Sequence, residues 1–70
     1  MRIKDLREEN NLTQQQVADY LNIRQNTYSQ YETEIRQIPV GILIALAVLY
    51  ETSTDYLLGI TDCRTPYPRT

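Results

Sequence analysis

The chain has 70 residues, seven Lys and Arg against nine Asp and Glu, and no His, giving a net charge of −2 and a pI near 4.9. With 41% hydrophobic residues, six Tyr as its only aromatics and just two Gly, it has the composition of one small all-helical soluble domain rather than a disordered tail. One cysteine (Cys63) and no histidine exclude an intramolecular disulfide, the usual one-chain zinc site and nucleophile–histidine catalysis, and the acids form no recognisable pair or ligand motif, so no enzyme, cofactor or metal is expected.

The opening segment, MRIKDLREEN, lacks the apolar core of a signal peptide. No stretch approaches the roughly 20 apolar residues of a membrane span, so the expected location is the cytoplasm. Residues 2–9 read as a first helix, with Ile3 and Leu6 as its apolar positions. Asn10 and Asn11 end it, because Asn tolerates the left-handed conformation that follows helices. The second helix has the clearest start. Thr13 is its N-cap, Gln16 completes a capping box, and Leu12 and Val17 form a hydrophobic staple. Val17, Ala18 and Leu21 share one face, and Ala18 is the small residue that lets two helices cross closely. The turn Asn22-Ile23-Arg24 places Asn22 at positive φ and points Ile23 into the core.

Residues 25–32 form a third helix, with Tyr28 and Tyr31 facing inward. Gln25, Asn26, Ser29 and Gln30 fall on the opposite face. A solvated face would normally carry Lys and Glu. A stripe of amides and a hydroxyl with few charges instead fits hydrogen bonding to base edges in a DNA major groove. Two short helices, a tight turn and this stripe make a helix-turn-helix pattern. The net acidity runs against a nucleic-acid partner, but the cations are grouped: Arg2, Lys4 and Arg7 in the first segment, Arg24 and Arg36 around the third helix. Asp19, Glu51, Asp55 and Asp62 are expected elsewhere. Non-specific binding should therefore be weak and base contacts important.

The loop 33–38 ends at Pro39, which suits the first turn of a fourth helix over 39–50. That helix, PVGILIALAVLY, is apolar nearly all round. Val40, Leu43, Ile44 and Ala47 form one stripe; Ile42, Ala45 and Leu49 form a second. A domain this small cannot bury both, so the second stripe is a candidate homodimer surface. Ser53 or Thr54 caps a last helix over 55–58, Gly59 stops it, and Tyr56 and Leu57 close the core. Residues 1–59 are then the domain. Residues 60–70, with Cys63, Pro66, Tyr67 and Pro68, form an extended tail.

The segments LREENNLTQQQVADYLNI, YSQYE and TSTDYLLGITD, with Pro39 between the last two, together resemble the Cro/CI-type helix-turn-helix regulators, the XRE family. The likeness covers about residues 3–59. It implies an all-α fold, a compact five-helix bundle of the lambda-repressor-like DNA-binding type. It also implies sequence-specific binding to double-stranded operator DNA, most often as a repressor in bacteria or phages. The short chain ending in PYPRT looks like a complete small regulator. By resemblance, Gln25, Asn26 and Gln30 match base-reading positions, with Ser29 a weaker candidate. Gln14 matches the residue that holds a phosphate and braces the first reading residue. Arg24, Thr27 and Thr33 match positions near the phosphate backbone, and Arg7 and Glu32 match a buried structural ion pair. Arg24 stands where many relatives have a Ser or Thr cap, and Glu34 where glycine is frequent.

These readings combine into a homodimer that places two copies of the third helix in successive major grooves of a palindromic operator, with half-sites roughly 34–36 Å apart. Arg2, Lys4, Arg24 and Arg36 would supply phosphate contacts. The alternative is a protein-binding module on the same fold, such as an antitoxin or a polymerase-interacting adaptor. No small-molecule ligand is evident.

Overall fold

Five helices follow one another in the computed structural model, which describes residues 1–64: α1 (Ile3–Glu9), α2 (Gln14–Leu21), α3 (Gln25–Glu32), α4 (Val40–Leu49) and α5 (Thr54–Leu58). The fold is all-α, without strands among the described residues. The expected run of Pro66, Tyr67 and Pro68 lies outside them.

Local chemistry sets the helix starts. The Thr13 hydroxyl accepts from the Gln16 N–H (3.1 Å) and the Gln16 side chain accepts from the Thr13 N–H (2.8 Å), closing the capping box of α2. Of the two candidate caps for α5, Ser53 is the one used. Its Oγ accepts from the Tyr56 N–H at 3.1 Å, so the helix begins at Thr54 rather than Asp55. Pro39 does not sit in the first turn of α4. It is the extended residue before it (φ −65°, ψ 148°), and its carbonyl accepts the Leu43 N–H at 3.0 Å.

All five helices stop in the same way. The residue after the last turn is left-handed: Asn11 (φ 58°), Asn22 (58°), Glu34 (60°), Glu51 (53°) and Gly59 (82°). In each case the following N–H reaches back to an orphan carbonyl: Leu12 to Arg7 (3.0 Å), Ile23 to Ala18 (3.0 Å), Ile35 to Gln30 (3.0 Å), Thr52 to Ala47 (2.9 Å) and Ile60 to Asp55 (2.9 Å). This is the Schellman arrangement. Asn and Gly adopt it cheaply; glutamate does not.

The core is built from Ile3 and Leu6 of α1, Val17 and Ala18 of α2, Tyr28 and Tyr31 of α3, Leu43, Leu46 and Ala47 of α4, and Leu57 of α5. The half-buried Leu12, Leu21, Ile23, Ile38 and Tyr56 pack around it. Ile42 and Leu49, expected on an outer stripe, also pack against this core, and Ala45 is half-buried. The row that α4 leaves in solvent is Val40, Ile44 and Val48, at 71%, 51% and 57% exposure. The split between faces is therefore different from the one read from spacing. A helix that is apolar all round carries no internal signal of which side its neighbours cover.

Residues 60–64 lie against the bundle. Arg2 donates to the carbonyls of Tyr56 (3.2 Å) and Thr61 (2.7 Å) and to Asp62 (2.7 Å), with its guanidinium 4.2 Å from the Tyr56 ring centre. Arg64 pairs with Glu9 at 2.7 Å, and the Thr52 hydroxyl donates to the Arg64 carbonyl at 2.7 Å.

Candidate nucleic-acid interface

The capping box and the left-handed Asn22 fix where α2 starts and ends, and thereby where α3 starts. Burial of Tyr28 and Tyr31 then fixes how α3 is rotated. That rotation exposes Gln25 and Asn26 and leaves Ser29, Gln30 and Thr27 half-exposed. The Thr33 hydroxyl at the helix end donates to the Ser29 carbonyl at 3.1 Å. Arg24 precedes α3 as an exposed, extended residue whose side chain makes no cap bond. Lys4 and Arg36 are exposed as well. Neither α2 nor α3 carries an acid in its first turn, so the positive character of both N-termini is not neutralised. Arg2 stands apart from this group. Its guanidinium is occupied by α5 and residues 61–62, so those N–H groups are not open to a phosphate.

Behind the exposed face lies a chain of polar contacts. Arg7 Nε donates to Glu32 Oε2 at 2.6 Å and Arg7 Nη2 to Glu32 Oε1 at 3.2 Å, with the two side chains 12% and 2% exposed. Arg7 Nη1 also holds the Leu12 carbonyl at 2.9 Å, tying α1 to the approach to α2. Gln14 Nε2 donates to the same Glu32 Oε1 at 3.1 Å, and Gln25 Nε2 donates to Gln14 Oε1 at 2.7 Å. The buried ion pair is thus connected, through the Gln14 amide, to Gln25, the first exposed residue of α3.

Burial alone would push the Glu32 carboxyl up. The hydrogen bonds from Arg7 and Gln14, with the nearby Tyr28 hydroxyl, together outweigh it and hold the group below the usual carboxylate range, hence ionised. The buried hydroxyls of Tyr28 and Tyr50 lie beside this carboxylate without a close hydrogen bond. Burial, and after it the Glu32 charge, pushes the Tyr50 phenol up to about 12, and burial raises Tyr28 further. Sequence spacing gives no sign of the Gln14–Glu32 bond or of the two tyrosine hydroxyls converging here. The first spans 18 residues and the second joins α3 to the end of α4.

No group of three or more His, Cys, Asp or Glu among the described residues is arranged to hold a metal ion. No helix among them is long and apolar enough to cross a membrane.

A two-helix unit with a tight turn, its second helix presenting amides to solvent and supported by three further helices, defines the helix-turn-helix class. The chain belongs to that family, Cro/CI (XRE) type, a family of non-enzymatic DNA-binding proteins: the family model described as helix-turn-helix matches residues 3–57. Three Bacillus subtilis (strain 168) proteins are similar to it. The uncharacterized HTH-type transcriptional regulator YobD is 41% identical over 61 residues, 87% of this chain and 54% of the relative. The HTH-type transcriptional regulator ImmR is 43% identical over 58 residues, 83% of this chain and 46% of the relative. The HTH-type transcriptional regulator AnsR is 40% identical over 58 residues, 83% of this chain and 50% of the relative. The chain therefore spans about half the length of the curated relatives it matches. No solved structure is matched.

Proposed function

We propose that this chain is a cytoplasmic transcriptional repressor that binds a palindromic operator as a homodimer, with α3 of each copy in successive major grooves. The observation that carries the reading is the exposed, uncharged amide face of α3, whose first member is held by a second amide. Gln25, Asn26, Ser29 and Gln30 read base edges. Gln or Asn pairs bidentately with adenine, each good pair discriminating by about 1–3 kcal/mol. Gln14, Thr27 and Thr33, with the cations Lys4, Arg24 and Arg36, set the register on the phosphates. The exposed row Val40, Ile44 and Val48, beside a groove of about 480 Å³ whose apolar lining is Met1, Ile38, Val40, Leu43 and Leu58, supports a second copy of the chain docking on this side.

Fluorescence anisotropy with the protein's own upstream DNA and a scrambled control, at two salt concentrations, tests the reading. The expected result is tight, sequence-dependent binding that weakens steeply with salt. Gln25→Ala and Gln30→Ala should alter base preference and leave the fold intact. Sedimentation should show a dimer that Ile44→Glu converts to a monomer. Absence of DNA binding even at low salt would overturn the reading. It would favour a protein-binding module such as an antitoxin or polymerase-interacting adaptor, which the net charge of −2 and the same apolar row support.

A further inference from the structure

We propose that Glu32 is a specificity-determining positioning residue, which sets the donor–acceptor polarity that Gln25 shows to the groove by fixing first the amide of Gln14 and then that of Gln25. The inference rests on the reading of Gln25 as a base-reading residue. An ionised carboxylate only accepts hydrogen bonds. Glu32, held by Arg7 through two contacts, can therefore take only an N–H from Gln14, and Gln14 Nε2 supplies it at 3.1 Å. The amide is planar and two-ended, so with Nε2 turned to Glu32 its Oε1 must face the other way. There it accepts from Gln25 Nε2 at 2.7 Å. That bond uses one N–H of Gln25. Its Oε1 and its second N–H remain for the groove.

An acceptor beside a donor fits the major-groove edge of adenine, which offers the N6 amino group and the N7 acceptor. It does not fit guanine, whose O6 and N7 both ask for donors. Were both amides reversed, Gln25 would accept from Gln14 and turn its two N–H groups outward, the pattern guanine takes. Adenine and guanine are thus distinguished by a charge that touches neither base.

The test selects preferred half-sites from randomised double-stranded DNA using the whole chain and three variants. Gln25→Ala identifies the base pair that Gln25 reads. Gln14→Ala, at the surface and not part of the core, removes the link. Glu32→Gln lets the side chain keep an oxygen on Arg7 and offer an N–H to Gln14, reversing the order. At the position that Gln25→Ala identifies, the adenine-over-guanine preference should fall about fivefold or more in Gln14→Ala and shift towards guanine in Glu32→Gln, with other positions unchanged. In the free protein, the Gln25 side-chain amide resonances should move in Gln14→Ala. An unaltered preference at that position in folded Gln14→Ala, or unmoved Gln25 resonances, would overturn the inference even if Glu32→Gln failed to fold. If Gln25→Ala changed no base preference at all, the base-reading assignment would fall first and the inference with it.

Discussion

Replacing Arg7 by Met removes three hydrogen bonds at once, two of them to a carboxylate that is 2% exposed. What remains is an ionised Glu32 with Gln14 as its close donor. Breaking a buried pair in this way costs about 3–5 kcal/mol. A domain of 70 residues, at roughly 0.05–0.15 kcal/mol per residue, has only about 3.5–10 kcal/mol to lose. Arg7→Met should therefore bring the domain close to its unfolding midpoint without denaturant. Glu32→Leu should cost less, because the long Arg7 side chain, already 12% exposed, can turn its head into water. The double variant Arg7→Met/Glu32→Leu leaves no buried charge and should be more stable than Arg7→Met alone by about 2 kcal/mol or more. Urea unfolding followed by far-UV circular dichroism measures all three against the parent. A loss under about 1 kcal/mol in Arg7→Met, or a double variant equal to the sum of the singles, would refute the account of the pair as a buried, mutually dependent unit.

Four further expectations follow from the same geometry. Since Glu32 is held below its ordinary value of 4.5, the stability it contributes is present above that pH and lost as pH falls through the folded value. Urea midpoints from about pH 6 to about pH 3 should show this loss, reduced in the double variant. Glu34→Gly and Glu51→Gly each relieve a left-handed glutamate and should raise stability by about 1 kcal/mol or less; only Glu34→Gly, which removes a negative charge just beyond α3, should also tighten DNA binding at low salt in the anisotropy assay. Ala18→Leu, at a fully buried site between helices, should lower the urea midpoint by the equivalent of about 1–3 kcal/mol. Tyr50→Phe removes a buried hydroxyl that lacks a close partner and should shift stability by less than about 1 kcal/mol in either direction, measured as a change in melting temperature.

Much of the scaffold is legible residue by residue, because the signals that set it are local. Thr13 and Gln16 specify the start of α2 within four residues, and the Tyr28–Tyr31 spacing turns α3 so that Gln25 and Asn26 face solvent. Asn11, Asn22 and Gly59 announce three helix stops through their own backbone preferences. Glu34 and Glu51 announce nothing of the kind. They are left-handed because the next N–H finds an orphan carbonyl and the chain must turn to keep Leu43, Leu46 and Leu57 in one core. Periodicity also could not say which side of α4 is covered. With apolar residues at almost every position, the choice fell to the neighbouring helices, which took Ile42 and Leu49 and left Val40, Ile44 and Val48 outside.

The exposed face shows the same division. The residue types on α3, and their place opposite two tyrosines, are properties of the sequence. The polarity of Gln25, the engagement of Arg2 with α5 rather than with the exposed cations, and the convergence of Arg7, Gln14 and Glu32 come from residues 11 to 60 positions apart. Short-range periodicity and capping are encoded in neighbouring residues. Contacts between distant ones exist only once hydrophobic burial has set the helices against each other.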